Sequence, residues 1–382
     1  MIQKRRFLPL LLSLISLVHP VFGQGKLLPD SIFSGPQGPF HVQGIAIDQV
    51  NGFMYFSFTD RLVKTDLNGK TVGSVSGFIG HLGDIDLSDD GKIYGSLECK
   101  NDDIGKGITK KLGIAATGQD AFYVAIFDAA KITKPGMDAE KEDLLRTVFI
   151  KEATDDYKAV VRSGDRKIPH RFACSGIDGL TLAPSIGADP SSKKYLYVAY
   201  GIYGDTTRSD NDHQVILKYD VSNWSSYSKQ LSQTDLHQSG PAKPLEKYFL
   251  KTGNTRYGIQ NLAYDSHTGN FFAAVYKGAK PGFPNYDLFV IDGKKKAISS
   301  IIESDYKNQR VNMLSLAPSA TNALPAAIRG WHFAWGSTGI CPLGDGLFYI
   351  SHPSKTKDGL QQTTVFKYKW LGDAEKGFEL IK

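Results

Sequence analysis

The chain has 382 residues, of which 41% are hydrophobic, 11% aromatic and 22% charged. This composition excludes wholesale disorder and collagen-like repeats, and leaves ample chain for a core. The net charge of +6 is mild for the length. No basic stripe with interleaved aromatics is present, so nucleic acid is not an expected partner.

The chain opens MIQKRRFLPLLLSLISLVHPVFGQ, with Lys4, Arg5 and Arg6 ahead of an apolar run over residues 7–18. A basic start, an apolar stretch too short to span a bilayer and small residues at its exit predict a signal peptide over residues 1–23. The mature protein, 24–382, is then expected to be secreted or periplasmic, without a membrane span, and monomeric. Losing the leader removes three cations and no acid, which lowers the net charge from +6 to +3. Cys99, Cys174 and Cys341 are too few for a disulfide framework and read as small buried apolar residues with at most one bridge.

From His41 onward one pattern recurs: a polar or glycine-rich entry, a short alternating strand, a Gly turn and an aromatic-rich strand. Its copies are HVQGIAIDQVNGFMYFSF, HLGDIDLSDDGKIYGSLE, GIDGLTLAPSIGADPSSKKYLYVAYG, GIQNLAYDSHTGNFFAAVYKG and GSTGICPLGDGLFYISH. Their first strands begin at Ile45, Ile85, Leu180, Leu262 and Ile340. Tyr55, Tyr94, Tyr197, Phe272 and Tyr349 share one position of the second strand. Ser57, Ser96, Ala199, Ala274 and Ser351 follow two residues later, on the same face. Third strands tend to end in Asp, at Asp66, Asp128, Asp220 and Asp292. Fourth strands are expected at 71–75, 145–150, 247–251, 297–302 and 378–382. Four antiparallel strands repeated five times predict an all-β protein, a five-bladed β-propeller. A sixth blade would have to lie within 130–175 or 304–335. A β-sandwich is the alternative fold, but it does not require one hairpin five times. A short helix is expected near 325–329.

The pattern of apolar strand, Asp/Gly turn and Tyr-x-Ser/Ala strand, as in LSDDGKIYGS, resembles secreted propellers of the NHL, YVTN and gluconolactonase-like type. The resemblance spans most of the mature chain. It implies the architecture and leaves the activity open. A gluconolactonase-like site would hold a divalent ion with Glu, Asn and Asp near the axis, residue types that Glu98, Asn261 and Asp178 supply.

In a propeller the innermost strands line the axis, and entries into them share a face with the second-to-third loops. Long segments fall on that face at 98–120, 151–175, 201–213 and 303–335, so the site is expected at this entry-face mouth. Two residues before each first apolar residue stand Gln43, Gly83, Asp178, Gln260 and Thr338. Four before stand His41, His81, Gly176, Gly258 and Gly336. One before stand Gly44, Asp84, Gly179, Asn261 and Gly339. Such a polar ring suits a ligand, and it equally suits a water-filled channel. His41 and His81 are candidate bases, Asp178 a candidate orienting or acid group, and Arg256 and Tyr276 candidate partners of an anionic substrate.

The loops add Glu98, Lys100 and Asn101 from blade two and Asp205 and Arg208 from blade three. Blade four contributes Lys277, and the approach to blade five contributes Trp331 and His332. Aromatic faces beside forked polar groups suit sugars, and they also suit the packing of long loops. In YGDTTRSDNDH the carboxylates of Asp210 and Asp212 are candidate Ca²⁺ ligands; an Arg208–carboxylate pair that merely pins the loop is the alternative. No GxSxG elbow, HExxH helix or GxGxxG turn occurs. The expected function is binding of a small polar ligand, a carbohydrate, at the axial mouth. The alternatives are a uronate lyase or glycoside hydrolase, a metal-dependent lactonase or esterase, and a protein-interaction scaffold.

Overall fold

A computed structural model describes residues 28–115, 118–232, 235–304, 307–319 and 328–381. The leader expected at 1–23 and most of the short helix expected at 325–329 lie outside the described residues. Five antiparallel sheets form a ring, a five-bladed β-propeller. Blade one comprises Val42–Asp48, Phe53–Phe58, Arg61–Asp66 and Thr71–Ser76. Blade two comprises His81–Leu87, Lys92–Cys99, Ala121–Asp128 and Leu145–Phe149. Blade three comprises Cys174–Pro184, Lys194–Ile202, His213–Tyr219 and Glu246–Lys251. Blade four has Thr255–Asp265, Asn270–Lys277 and Leu288–Ile291, and blade five Ile340–Gly344, Leu347–Lys355 and Gln361–Trp370.

The repeat has a physical basis in the seams between blades. Tyr55, Tyr94, Tyr197, Phe272 and Tyr349 are each buried, and each sits in a different apolar cluster. Burying one such ring contributes about 1.5–3 kcal/mol. The serine two residues on bridges to the next blade. Ser57 Oγ donates to Gly83 O at 2.6 Å, and Ser96 Oγ to Asp178 O at 2.5 Å.

The outer edges depart from a simple four-stranded repeat. Residues Met137–Asp138, inserted in blade two, pair in parallel with blade one's outermost strand. Lys229–Gln230, inserted in blade three, extends blade two. The segment expected as blade four's fourth strand, Ile298–Ile302, instead forms a hairpin with Gln309–Met313, which pairs with blade three. Ile302 and Val311 find their apolar partners there, in one cluster with Phe249. Blade four's free edge is bridged by Leu316 and Trp331. Blade five is closed by two short strands side by side on Gln361–Trp370: the C-terminal Phe378–Leu380 and the N-terminal Ser31–Phe33. That pairing brings the first and last described strands onto one blade and closes the ring.

The two regions where a sixth blade was conceivable hold other structure. The first contains a helix and the hairpin Val160–Ser163/Arg166–Pro169. The second holds the strand added to blade three and blade four's edge bridges. Loop 98–120 folds into helix α1, Asp103–Leu112, capped by Asp102 at 2.8 Å to Gly105 N and by left-handed Gly113. Helix α2, Lys151–Lys158, leads into blade three. No helix among the described residues is long and apolar enough to cross a membrane. All three cysteines are free.

Candidate functional site

The axis is plugged just below its mouth, and two residues expected to touch ligand form the plug. Asp84 Oδ2 accepts Leu180 N at 3.0 Å and Leu262 N at 2.9 Å, and Oδ1 accepts Ile85 N at 3.0 Å. One carboxylate of blade two thereby ties blades three and four. Asn261 Nδ2 donates to Gln43 O at 2.7 Å and Ser337 O at 3.3 Å, which ties blade four to blades one and five. Both residues are buried. The small residues beside them are required: a Cβ on Gly44 would lie 2.7 Å from Asp84 Oδ1. Asp84 and Asn261 are therefore corrected from lining to structural floor. Their side chains satisfy backbone donors and acceptors that converge where five strands meet.

Above the plug opens a cavity of about 660 Å³. Of the residues singled out from the sequence, it brings together His41, Gln43, His81, Glu98, Lys100, Asp178, Arg256, Gln260, Tyr276 and Lys277. At its base Glu98 is fully engaged. Its Oε1 accepts Ile177 N at 2.7 Å, and its Oε2 lies 2.9 Å from Lys100 Nζ and 3.4 Å from His81 Nδ1. Gly176, at φ 132°, has no room for a Cβ against this carboxylate. Lys100 Nζ also donates to Ser175 O at 2.9 Å and lies 3.8 Å from Asp102. Burial alone would lower Lys100, but Glu98, Asp102 and Asp178 hold it above its ordinary value, so it stays charged.

Asp178 Oδ2 accepts Gln260 Nε2 at 2.9 Å. Burial, then the neighbouring Glu98, pushes Asp178 well above the usual carboxylate range against the opposing pull of Lys100 and Gln260. His41 is exposed at the rim of the cavity, and partial desolvation, then like charge on His81, Lys355 and Lys111, lowers its ring to about 4. His41 is thus a neutral imidazole near pH 7. Gln43 Nε2 donates to Thr59 Oγ1 at 3.0 Å and lies 3.3 Å from His41 Nε2. Tyr276 is raised by burial, against a hydrogen bond with Ser337.

Other expected residues lie elsewhere. Trp331 is corrected: it is fully buried at blade four's edge, with Nε1 donating to Ala374 O at 2.8 Å and its ring against Trp370. Thr338 is buried and its neighbour Ser337 lines the cavity. The Gly336–Gly339 segment is a turn, closed by Gly339 N to Gly336 O at 3.1 Å, so strand parity does not extend to it. His332 stands outside the lining, exposed, 3.4 Å from Asp287. Asn101 is held by Asp120, with 2.7 Å from its backbone N to Oδ1.

The blade-three loop forms a separate pocket with Arg166 and Lys167, away from the mouth. There Asp205 caps Thr207, Arg208 pairs with Asp210 at 2.7 Å, and Asp212 pairs with Lys280 at 2.7 Å. The Asp210 and Asp212 carboxylates are neutralised by side chains, as in a loop pinned by ion pairs. These ion pairs favour the pinned loop over the calcium reading.

The divalent ion implied by a gluconolactonase-like site does not fit the residues as placed. Asn261 is engaged in the plug through Nδ2 alone, and its Oδ1 is buried without a hydrogen-bond partner. Ligand atoms of His81, Glu98 and Asp178 do lie within 4.8 Å of one another. However, the Lys100 ammonium already stands on Glu98 Oε2, and an ion would have to displace it.

Sequence reasoning missed the roof. Ile104 and Ile108 of α1 line the cavity, together with Phe40, Tyr257 and Val275. Helix α1 is tied to blade three by Tyr203 Oη on Asp102 at 2.7 Å. On the far side Lys111 donates to Pro39 O at 2.7 Å, with its ammonium 4.6 Å from the Phe40 ring centroid. The i, i+4 spacing of Ile104 and Ile108, after a capping Asp and before a capping Gly, was the available signal.

No family model and no curated protein sequence matches the chain. Solved structures similar to it are propellers with carbohydrate-related names. A glucose dehydrogenase is 11% identical, with 88% of this chain and 99% of that one covered and a TM-score of 0.34. A gluconolactonase from Xanthomonas campestris is 8% identical, covering 87% and 77%, at 0.34. An arabinanase from Bacillus subtilis is 10% identical, covering 88% and 97%, at 0.39. Likeness at this level says nothing of this chain's activity.

Proposed function

We propose that this protein binds a small polar ligand, a carbohydrate, in the entry-face cavity. The observation that supports it is the cavity's construction: about 660 Å³ above a plugged axis, with a polar floor under Phe40, Tyr257, Tyr276, Ile104 and Ile108. A pyranose ring presents C–H faces to such a wall and hydroxyls to Gln43, Gln260 and Asp178. With the leader read from its sequence, we place this binding outside the cytoplasm. The test is thermal unfolding against a panel of neutral and acidic mono- and oligosaccharides. A ligand at a hundredfold excess over its Kd adds about 2.7 kcal/mol of stability. One sugar class is expected to raise the midpoint, and His81→Ala to reduce that shift. A flat response across the panel sinks the reading.

A second reading, acid–base catalysis on the same ligand, is favoured by Asp178. Glu98 is saturated by Ile177, Lys100 and His81, so Asp178 is the carboxyl left available on the floor. Held protonated by burial and Glu98, it is a proton donor, with neutral His41 as a base across the same cavity. This favours a single-acid route such as β-elimination over hydrolysis by two free carboxylates. Asp178→Asn is expected to abolish turnover of a bound sugar while leaving binding within a few-fold. Absence of any product from a bound sugar leaves the binding reading standing alone.

A further inference from the structure

Resting on the carbohydrate reading, we infer that the ligand is an acidic sugar whose carboxylate is met by Arg256, with Lys277 beside it, on the blade-four wall of the cavity. The inference comes from which charges in the cavity are already matched. Three acidic residues line it: Glu98 is paired with the Lys100 ammonium, Asp178 accepts a hydrogen bond from the neutral Gln260 amide, and Asp287 lies 3.4 Å from the exposed His332 ring. Lys100 is consumed by Glu98 and Ser175 O. Arg256 and Lys277 line the same cavity, both exposed, and among the described residues no carboxylate lies within ion-pair distance of either. The guanidinium of Arg256 stands over the Tyr257 ring, 5.7 Å from its centroid.

The wider field has the same sign. Lys355 and Lys111 act on His41 as like charges, so positive charge also stands on the blade-one side. A cavity whose rim carries the cations of Arg256 and Lys277, with Glu98 on the floor already paired by Lys100, attracts anions and discriminates against neutral analogues. The planar guanidinium offers a fork that matches a carboxylate with two parallel hydrogen bonds. The aromatic and aliphatic roof still requires a ring with an apolar face, so the chemistry indicated is a uronic or similar sugar acid rather than a bare anion.

The experiment is calorimetric titration of the full protein with matched pairs: galacturonate against galactose, glucuronate against glucose, and the trisaccharides of each. A glucose 6-phosphate arm and a repeat at about 0.5 M salt, where the Debye length is only a few ångström, complete it. The expected result is at least about tenfold tighter binding of the acid member, about 1.4 kcal/mol. That advantage should shrink in salt and be lost in Arg256→Ala/Lys277→Ala, while any neutral-sugar binding persists. Both residues are exposed, so an unchanged unfolding midpoint confirms that the variant is folded. Equal binding of acid and neutral members overturns the inference and leaves the carbohydrate reading intact. Tighter binding of the sugar phosphate overturns the carboxylate assignment. No binding by any member removes the carbohydrate reading, and this inference with it.

Discussion

Asp84 offers the sharpest test of how the ring is held together. Its carboxylate accepts three backbone N–H groups from three blades at 2.9–3.0 Å, in a place without solvent. Asp84→Ala strands all three donors, each at about 1–3 kcal/mol. Water entering from the cavity above recovers part of this, so the expected loss is about 3–6 kcal/mol, large against the 5–15 kcal/mol stability of a typical protein. Asp84→Asn keeps one acceptor oxygen and is expected to lose less than half as much. Burial outweighs the three donors and holds Asp84 well above the usual carboxylate range. A folded-state pKa raised above the unfolded one means that the native state holds the proton more tightly. This contribution is therefore fully present at low pH and is lost as pH rises through the folded pKa. Asp84→Asn removes it, so the measured quantity is the difference in slope between variant and wild type. The residual slope combines Asp86, Asp178 and Asp212, shifted the same way, with His41, His213, His237 and His352, whose lowered values make stability rise with pH. The assay is urea unfolding followed by far-ultraviolet circular dichroism from pH 5 to pH 8. A folded Asp84→Ala protein within about 0.5 kcal/mol of wild type would refute the plug.

Two further outcomes follow from buried contacts. Lys100→Met leaves Glu98 buried without its ammonium and is expected to cost about 3–5 kcal/mol; Glu98→Gln/Lys100→Met should recover most of it in a double-mutant cycle, and additive losses would show that the pair is not coupled. Trp331→Ala empties a fully buried site at blade four's edge and is expected to cost about 3–5 kcal/mol without weakening sugar binding, whereas selective loss of binding would return Trp331 to the site.

The repeat was legible because each blade must bury the same aromatic against its neighbour. Tyr55 and its four counterparts mark that face, and Ser57 and Ser96 mark the bridge beyond it. Strand parity then correctly placed His41, Gln43, His81, Asp178 and Gln260 around one mouth. It failed for Thr338, where the chain is still turning; Trp331, read as a loop aromatic facing sugar, instead completes an edge.

Local sequence also determines strand period, caps and turns, which is why five hairpins could be read along the chain; the i, i+4 pair on α1 carried the same kind of signal and was missed. What it does not contain is the partner of a group whose neighbour lies far away in sequence. Asp84 and Asn261 look like ligand-binding residues until Leu180, Leu262, Gln43 and Ser337 converge on them. Ile298–Ile302 looks like a fourth strand until Phe249 of another blade offers a better apolar surface. Glu98, Lys100 and Asp178 acquire their charge balance only when residues from two blades are buried together. Those outcomes depend on desolvation and long-range contact, and only the closed ring decides them.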